Sequence, residues 1–281
     1  SSAASDVYKR QVYYDVHMQS CDINLAKGRE MLIITHCQEG RIEFEYKNGE
    51  YLYLASGDLS IQKNTENIRH RYCPLSHYHG VSVAIDMNRV PRCFSCILDD
   101  VFVSPEELEM KFCSEKPYSI MRENISIEHI FSELYSVPEN IRKGYHKVKV
   151  LELLLFLSGL EYKGESEERR YFSRSQVTAA KEAKKYLLAH LDEHITITEL
   201  ADMLGISSTS LKICFKGVYG DTINGYITNC KMQKAASLLK NTDKSVLEIA
   251  GIVGYNNGSK FAGAFRRVMN KSPNEYRKSL V

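Results

Sequence analysis

The 281-residue sequence lacks any apolar stretch near the roughly 20 residues a membrane-crossing helix needs; its best candidate, Leu151 to Leu157, is broken by Glu152. It has little proline (six) and an ordinary share of glycine (16), which excludes a collagen or a low-complexity chain. It has almost no net charge, +2 at pH 7, so charge as a whole excludes little. Its eight cysteines (21, 37, 73, 93, 96, 113, 214, 230) are scattered, and no apolar leader segment opens the sequence. That usage is the expectation for reduced thiols in a cytoplasm and not for a disulfide framework. What is present, 43% hydrophobic and 26% charged residues, sits near globular averages, and the length predicts two domains.

The first eleven residues read as a scar of assembly and are set aside from the fold. From Val12 to about Asp86 the pattern is that of strands, and 12–103 is expected to form one domain. Met31–Thr35 is a short apolar run, and Arg41–Tyr46 alternates so that Ile42, Phe44 and Tyr46 share a face. Asn48-Gly49 predicts a tight hairpin with positive φ at both residues, returning along Tyr51–Leu54. Ser56-Gly57-Asp58 marks a second turn, and Val81–Ile85 a further strand. Short strands at this spacing predict a β-barrel or sandwich.

The period becomes helical over 104–161. Ser104-Pro105 is an N-cap followed by proline at the first helical position. Ile125–Tyr135 reads as one helix and Pro138–Leu160 as a longer one. On the longer helix Ile141, Tyr145, Val148, Leu151 and Leu155 form one stripe, with Val150, Leu153, Leu154 and Phe156 on the other side. Such a helix needs partners on more than one face, either in its own domain or across a dimer seam. Residues 162–174 are polar and charged and read as a linker.

The near-zero net charge hides an asymmetry. From Ser173 onward there are 16 basic against 9 acidic residues, whereas the remainder has 21 against 26. The basic part also contains an internal repeat: Glu199-Leu200-Ala201-Asp202-Met203-Leu204-Gly205-Ile206 matches Glu248-Ile249-Ala250-Gly251-Ile252-Val253-Gly254-Tyr255 at an offset of 49. Each copy opens on a capping box, Thr196…Glu199 or Ser245…Glu248, and ends its first helix at a glycine. A polar N-cap, Ser207 or Asn256, then starts a second helix. The later anchors Leu211/Phe261 and Phe215/Phe265 stand 50 apart. Helix, glycine turn and anchored second helix make a helix-turn-helix, here predicted twice, with a helical stretch from Thr222 to Lys240 between.

On these residues, 175–281 resemble the DNA-binding domain of the AraC/XylS family of bacterial transcription regulators. Tyr226-Ile227, Lys231-Met232-Gln233-Lys234-Ala235 and Leu238-Leu239 are similar to the family's linker helix. Phe265 to Arg277 resembles its closing signature. Two positions depart from the pattern: Asn270 stands where the family prefers glycine, and Lys231 where it prefers arginine. The N-terminal part is similar to the family's cupin-like sensor barrel through Gly40-Arg41-Ile42-Glu43, Gly57-Asp58-Leu59 and His77-Tyr78-His79-Gly80. The fold class expected is therefore α+β multidomain, a cupin-like β-barrel with a helical segment before an all-α domain with two helix-turn-helix units.

The resemblance implies a cytoplasmic, non-enzymatic regulator, an activator more than a repressor. It would act as a homodimer on double-stranded DNA, with RNA polymerase and an unidentified small-molecule effector as further partners and no cofactor. Second helices of helix-turn-helix units reach base edges from their N-terminal residues. In the first unit these are Ser208, Thr209, Lys212 and Ile213; in the second, Gly258, Ser259, Ala262 and Gly263, two of which have no side chain. The first helix is therefore expected to supply most direct readout. The second would hold phosphates through Lys260, with Lys216, Arg266, Arg267 and Lys271 as phosphate neighbours. Effector-pocket candidates are His36, Ile42, Phe44, Tyr51 and Tyr53.

Competing chemistries are weaker. His77 and His79 could hold a metal with His70 or Glu66, but metal-dependent cupins place a glutamate soon after their His-x-His, and here the next glutamate is Glu106. Cys93 and Cys96 form a lone CxxC without a second pair, leaving two incidental thiols or a redox sensor. An architectural DNA binder without a sensor is a third reading.

Overall fold

The computed structural model describes residues 9–16, 30–63, 68–89, 103–122, 125–135, 137–162, 172–193 and 195–279. The chain forms two compact units, 1–171 and 172–281. No described helix is long and apolar enough to cross a membrane.

The N-terminal unit is a curled seven-stranded half-barrel with helices on one face. Its strands are β1 (Lys9–Val16), β2 (Met31–Tyr46), β3 (Tyr51–Ala55), β4 (Leu59–Lys63), β5 (Ile68–Tyr72), β6 (Tyr78–Asp86) and β7 (Tyr118–Met121). The hydrogen-bonded order is β1-β6-β2-β4-β7, with β3 and β5 pairing the far half of β2. The two runs expected around residues 31 and 41 are thus one 16-residue strand, bent where its register slips between Cys37 and Glu39. Gly40, at φ +83°, serves that bend, and a Cβ there would meet the His77 carbonyl oxygen at 2.2 Å.

The Asn48-Gly49 hairpin forms, but only Gly49 takes positive φ. The Gly49 N–H donates to the Tyr46 carbonyl at 3.0 Å and the Asn48 side chain accepts from the Glu50 N–H, so the turn is longer than the expected pair. β1 corrects the boundary set at residue 11, since Lys9, Arg10 and Gln11 pair with Ile85, Ala84 and Val83 of β6. β7 corrects the all-helical reading of 104–161: its four residues extend the sheet beyond β4.

Three helices cover the sheet: α1 (Pro105–Cys113), α2 (Ile125–Tyr135) and α3 (Arg142–Gly159). Ser104 caps α1 by accepting from the Glu107 N–H, with proline at the first position. Leu108, Phe112, Ile127, Phe131, Val150, Leu153, Leu154 and Leu157 pack on Leu32, Ile34, Leu59, Ile61, Val81, Val83 and Ile85. The face of α3 that is buried is therefore the one opposite the expected stripe. Ile141 and Val148 remain 50% and 63% exposed. Lys149, buried on the same helix, is held by Glu133 and by Glu152 at 2.8 Å.

The C-terminal unit holds α4 (Arg174–Ala189), α5 (Ile197–Met203), α6 (Ser208–Tyr219), α7 (Ile223–Asn241), α8 (Val246–Ile252), α9 (Gly258–Met269) and α10 (Pro273–Lys278). Each begins on a side-chain cap: Ser173, Thr196, Ser207, Thr222, Ser245, Asn257 and Ser272. The last three residues assigned to the linker belong here, with Phe172 packed on α6 and Ser173 capping α4. A Cβ on Gly217 would lie 2.1 Å from the Phe172 ring, so α6 needs glycine at that point. Residues 163–171 lie outside the described part.

Candidate nucleic-acid interface

Both predicted helix-turn-helix units form. In the first, α5 ends through Gly205 at φ +68° and α6 starts on Ser207, whose hydroxyl accepts from the Ser210 N–H at 3.1 Å. In the second, Gly254 takes φ +77°. Asn257, not Asn256, caps α9, accepting from the Lys260 N–H at 3.0 Å. The capping residues thus stand 50 apart while the glycines stand 49 apart, and the extra residue lies in the second turn. Both capping boxes close reciprocally, at Thr196/Glu199 and Ser245/Glu248.

The helices present contrasting outer surfaces. On α6 Leu211 and Phe215 are buried, Thr209, Lys212 and Lys216 are exposed, and Ser208 and Ile213 are half-buried. On α9 Phe261, Ala264 and Phe265 are buried, while Ser259, Lys260, Gly263, Arg266 and Arg267 are exposed and Gly258 is half-buried. Lys271 is exposed just past Asn270, which ends α9 in the left-handed region at φ 57°, as its place in the pattern requires.

Gly263 has no conformational reason to be glycine, and a Cβ there would meet nothing within 4 Å. Gly263→Ala is therefore expected to stabilise the unit by up to about 1 kcal/mol. Thermal unfolding checks this, and a lowered melting temperature would contradict the open surface.

Gln176 was not singled out from the sequence. It closes a capping box with Ser173 and donates from Nε2 to the Ser210 hydroxyl at 3.2 Å, tying the start of α4 to the first turn of α6. The Ser173-x-x-Gln176 spacing was the available signal. Lys184 of α4 lies over Tyr219 and Tyr226, 4.9 and 5.7 Å from their centroids, and burial pushes its ammonium pKa down. Arg277 of α10 donates to the carbonyls of Leu239 and Lys244, fastening the closing signature to the end of α7.

The five effector-pocket candidates do not come together. Ile42 and Phe44 face the half-barrel interior, packed among Leu52, Leu54, Tyr118 and Ile120. Tyr51 and Tyr53 lie on the opposite face, where the Tyr53 hydroxyl donates to buried Glu43 at 2.6 Å. His36 lies on the helix side, stacked on Phe131 at 4.4 Å with Nδ1 3.2 Å from the Tyr135 hydroxyl. The slip after Cys37 explains His36, because it reverses which residues of β2 point inward, while Tyr51 and Tyr53 face away because they pair with Glu45 and Glu43.

Inward positions the sequence reading missed are Thr35, Ser60, Gln62 and Ser82, all buried. Thr35 and Ser82 share a hydrogen bond at 2.7 Å, and Gln62 donates to Ser60 at 3.2 Å. The two histidines of the His-x-His part company: His77 Nε2 lies 3.3 Å from Glu39, and the His79 ring packs 5.4 Å from that of Tyr135. Cys93, Cys96 and Glu66 lie outside the described residues, and His70 is exposed.

Comparison with known proteins agrees with this geometry. A family model described as "Helix-turn-helix domain" matches residues 200–279. The xylose operon regulatory protein of Escherichia coli K12 is 31% identical over 153 residues, 51% of this chain and 39% of its own length. The melibiose operon regulatory protein of the same strain is 30% identical over 93 residues, 33% of this chain and 31% of its own. The chain therefore spans under two fifths of the length of these relatives. A solved transcriptional regulator from Chromobacterium violaceum, titled as containing an AraC-type DNA-binding domain, is 26% identical over 37% of this chain and 93% of its own, with a TM-score of 0.35. The C-terminal unit, two capped helix-turn-helix units on one connecting helix, is thus similar to the matching segments of these regulators and carries a helix-turn-helix domain.

Proposed function

We propose that the chain is a sequence-specific DNA-binding transcription regulator, an activator that works as a homodimer in the cytoplasm and is not an enzyme. The observation that carries this is the pair of complete helix-turn-helix units with exposed cations on their second helices. The relatives are named for the regulation of operons, and regulation is what this reading takes from them, not their sugars.

In this reading the sheet from β1 to β7 is the sensor, the helices on it carry the dimerisation surface and the unit from Phe172 onward is the reader of DNA. The buried inward side chains Thr35, Ser60, Gln62 and Ser82 favour a small polar effector. The exposed apolar residues Ile141, just before α3, and Val148, on it, favour a second copy as their cover. RNA polymerase is the further partner.

The test is selection of genomic fragments at ~150 mM salt beside a random-sequence control. A site preferred on the order of 10³-fold or more supports the reading, and salt-sensitive binding indifferent to sequence favours an architectural role. Lys212 would donate to guanine O6/N7, and Lys260 would hold phosphate near the N-terminus of α9. Lys212→Ala is thus expected to lose about 1–3 kcal/mol of discrimination at one base pair. Lys260→Ala should weaken all sequences alike and lower the salt slope by about one. Titrations over several salt concentrations separate the two, and the reverse pattern would overturn this division.

A further inference from the structure

Two reading units on one connecting helix can act together only if their relative setting is fixed. Across α7, the turn after α4 meets the turn of the second helix-turn-helix. A Cβ on Gly254 would lie 2.9 Å from the Asp192 carbonyl oxygen and 3.1 Å from Lys231 Nζ. Only glycine permits that approach, and its φ of +77° demands glycine independently. Lys231 projects from α7 into this seam with its ammonium 5.7 Å from the centre of the Tyr255 ring, the residue after Gly254.

Burial lowers the Lys231 pKa and the Asp192 charge opposes that, as expected of a cation drawn out of solvent. Beside the contact runs a cleft of about 210 Å³, lined by Leu187, Leu191, Ile195 and Ile227 together with Lys231 and Tyr255. Apolar side chains therefore do not close the seam at this point. The cation over the ring and the glycine against the carbonyl bridge it.

We propose that Lys231 is a positioning residue that sets the second helix-turn-helix against the first, so that α6 and α9 meet DNA at one fixed spacing. This rests on the regulator reading above. It gives the chain a specificity that neither recognition helix encodes alone, a discrimination between duplexes that differ only in the distance between two contacted segments. Arginine, which the resembled family prefers here, would also place a cation over the ring.

The full-length chain, Lys231→Met, Lys231→Arg and Tyr255→Leu are titrated with the duplex that the wild-type chain selects most strongly, and with versions carrying one or two base pairs inserted between its two protected segments. Wild type is expected to lose about tenfold or more on insertion, a size that a partly desolvated cation–π contact can control. For Lys231→Met that ratio falls to within about threefold, Lys231→Arg restores it, and Tyr255→Leu in the Lys231→Met background adds nothing further. Thermal unfolding monitors folding, and Tyr255→Leu alone serves if Lys231→Met does not fold. Uniform weakening with an unchanged insertion ratio overturns the proposal alone. A wild-type chain with no preferred duplex overturns the regulator reading and the proposal with it.

Discussion

Phe265→Ala is expected to cost about 3–5 kcal/mol, the range for truncating a buried aromatic, and to abolish DNA binding. Phe265 is fully buried on α9 and meets Phe261 at 5.8 Å and Tyr276 at 5.5 Å, the latter edge-on. Its cluster includes Met232, Ala235 and Leu239 of α7, Ile249 and Ala250 of α8 and Val253, which ends that helix. One ring thus touches the core through which α7, α8, α9 and α10 are joined, and small alanines on two neighbours leave little to collapse into the space. The melting transition of the C-terminal unit should drop by more than about 10 °C. A drop of only a few degrees would mean that the second helix-turn-helix does not depend on this core.

The second large effect concerns acid. Burial pushes the pKa of His36 from 6.5 down to about 4. The residue is 4% exposed, Nδ1 meets the Tyr135 hydroxyl, and Nε2 has no partner among the described residues. The unfolded chain takes up a proton below pH 6.5 that the folded chain refuses until about pH 4. This group's contribution is therefore complete above pH 6.5 and is lost as pH falls through that window, by about 3 kcal/mol in all. Asp58 works in the opposite sense: burial raises its carboxyl pKa against the Ala55 amide and Arg122, so its share grows as pH falls. Denaturant unfolding at pH 7 and pH 4.5 should show His36→Gln losing less stability on acidification than wild type. Superimposable pH profiles would remove His36 from the account.

The C-terminal unit was legible because its boundaries are written locally. Thr196, Glu199 and Gly205 each act within a few residues of themselves, and the spacing of Leu211 and Phe215 alone selects the buried face of α6. The half-barrel was less so. Ile68–Tyr72 reads IRHRY, with only its ends apolar, and it becomes a strand because β2 offers it an edge. Tyr118–Met121 is too short to announce itself and forms against β4. Of the β2 residues expected to point inward, Ile42 and Phe44 do and His36 does not, because a single slip after Cys37 inverts the alternation and no residue pattern marks a slip. On α3 two apolar stripes competed, and only the sheet beneath could choose Leu153 and Leu157 over Ile141 and Val148. Lys231 was visible only as a departure from the family pattern, since the ring it covers lies in the other helix-turn-helix.

The contrast between β2 and the capped helices also bears on how the chain folds. Seven helix starts fixed by side chains within a turn of one another let the C-terminal unit assemble from nearby contacts, which is fast. The half-barrel must instead bring Lys9 to Ile85 and Met31 to Asp86 before its sheet exists, and such closures are slow. Synthesis runs from the slow half to the fast one, so the ribosome gives the sheet a head start while the helices are still unmade. The order of the two halves along the chain thus lowers the time for which a finished DNA-reading unit trails an unfinished partner.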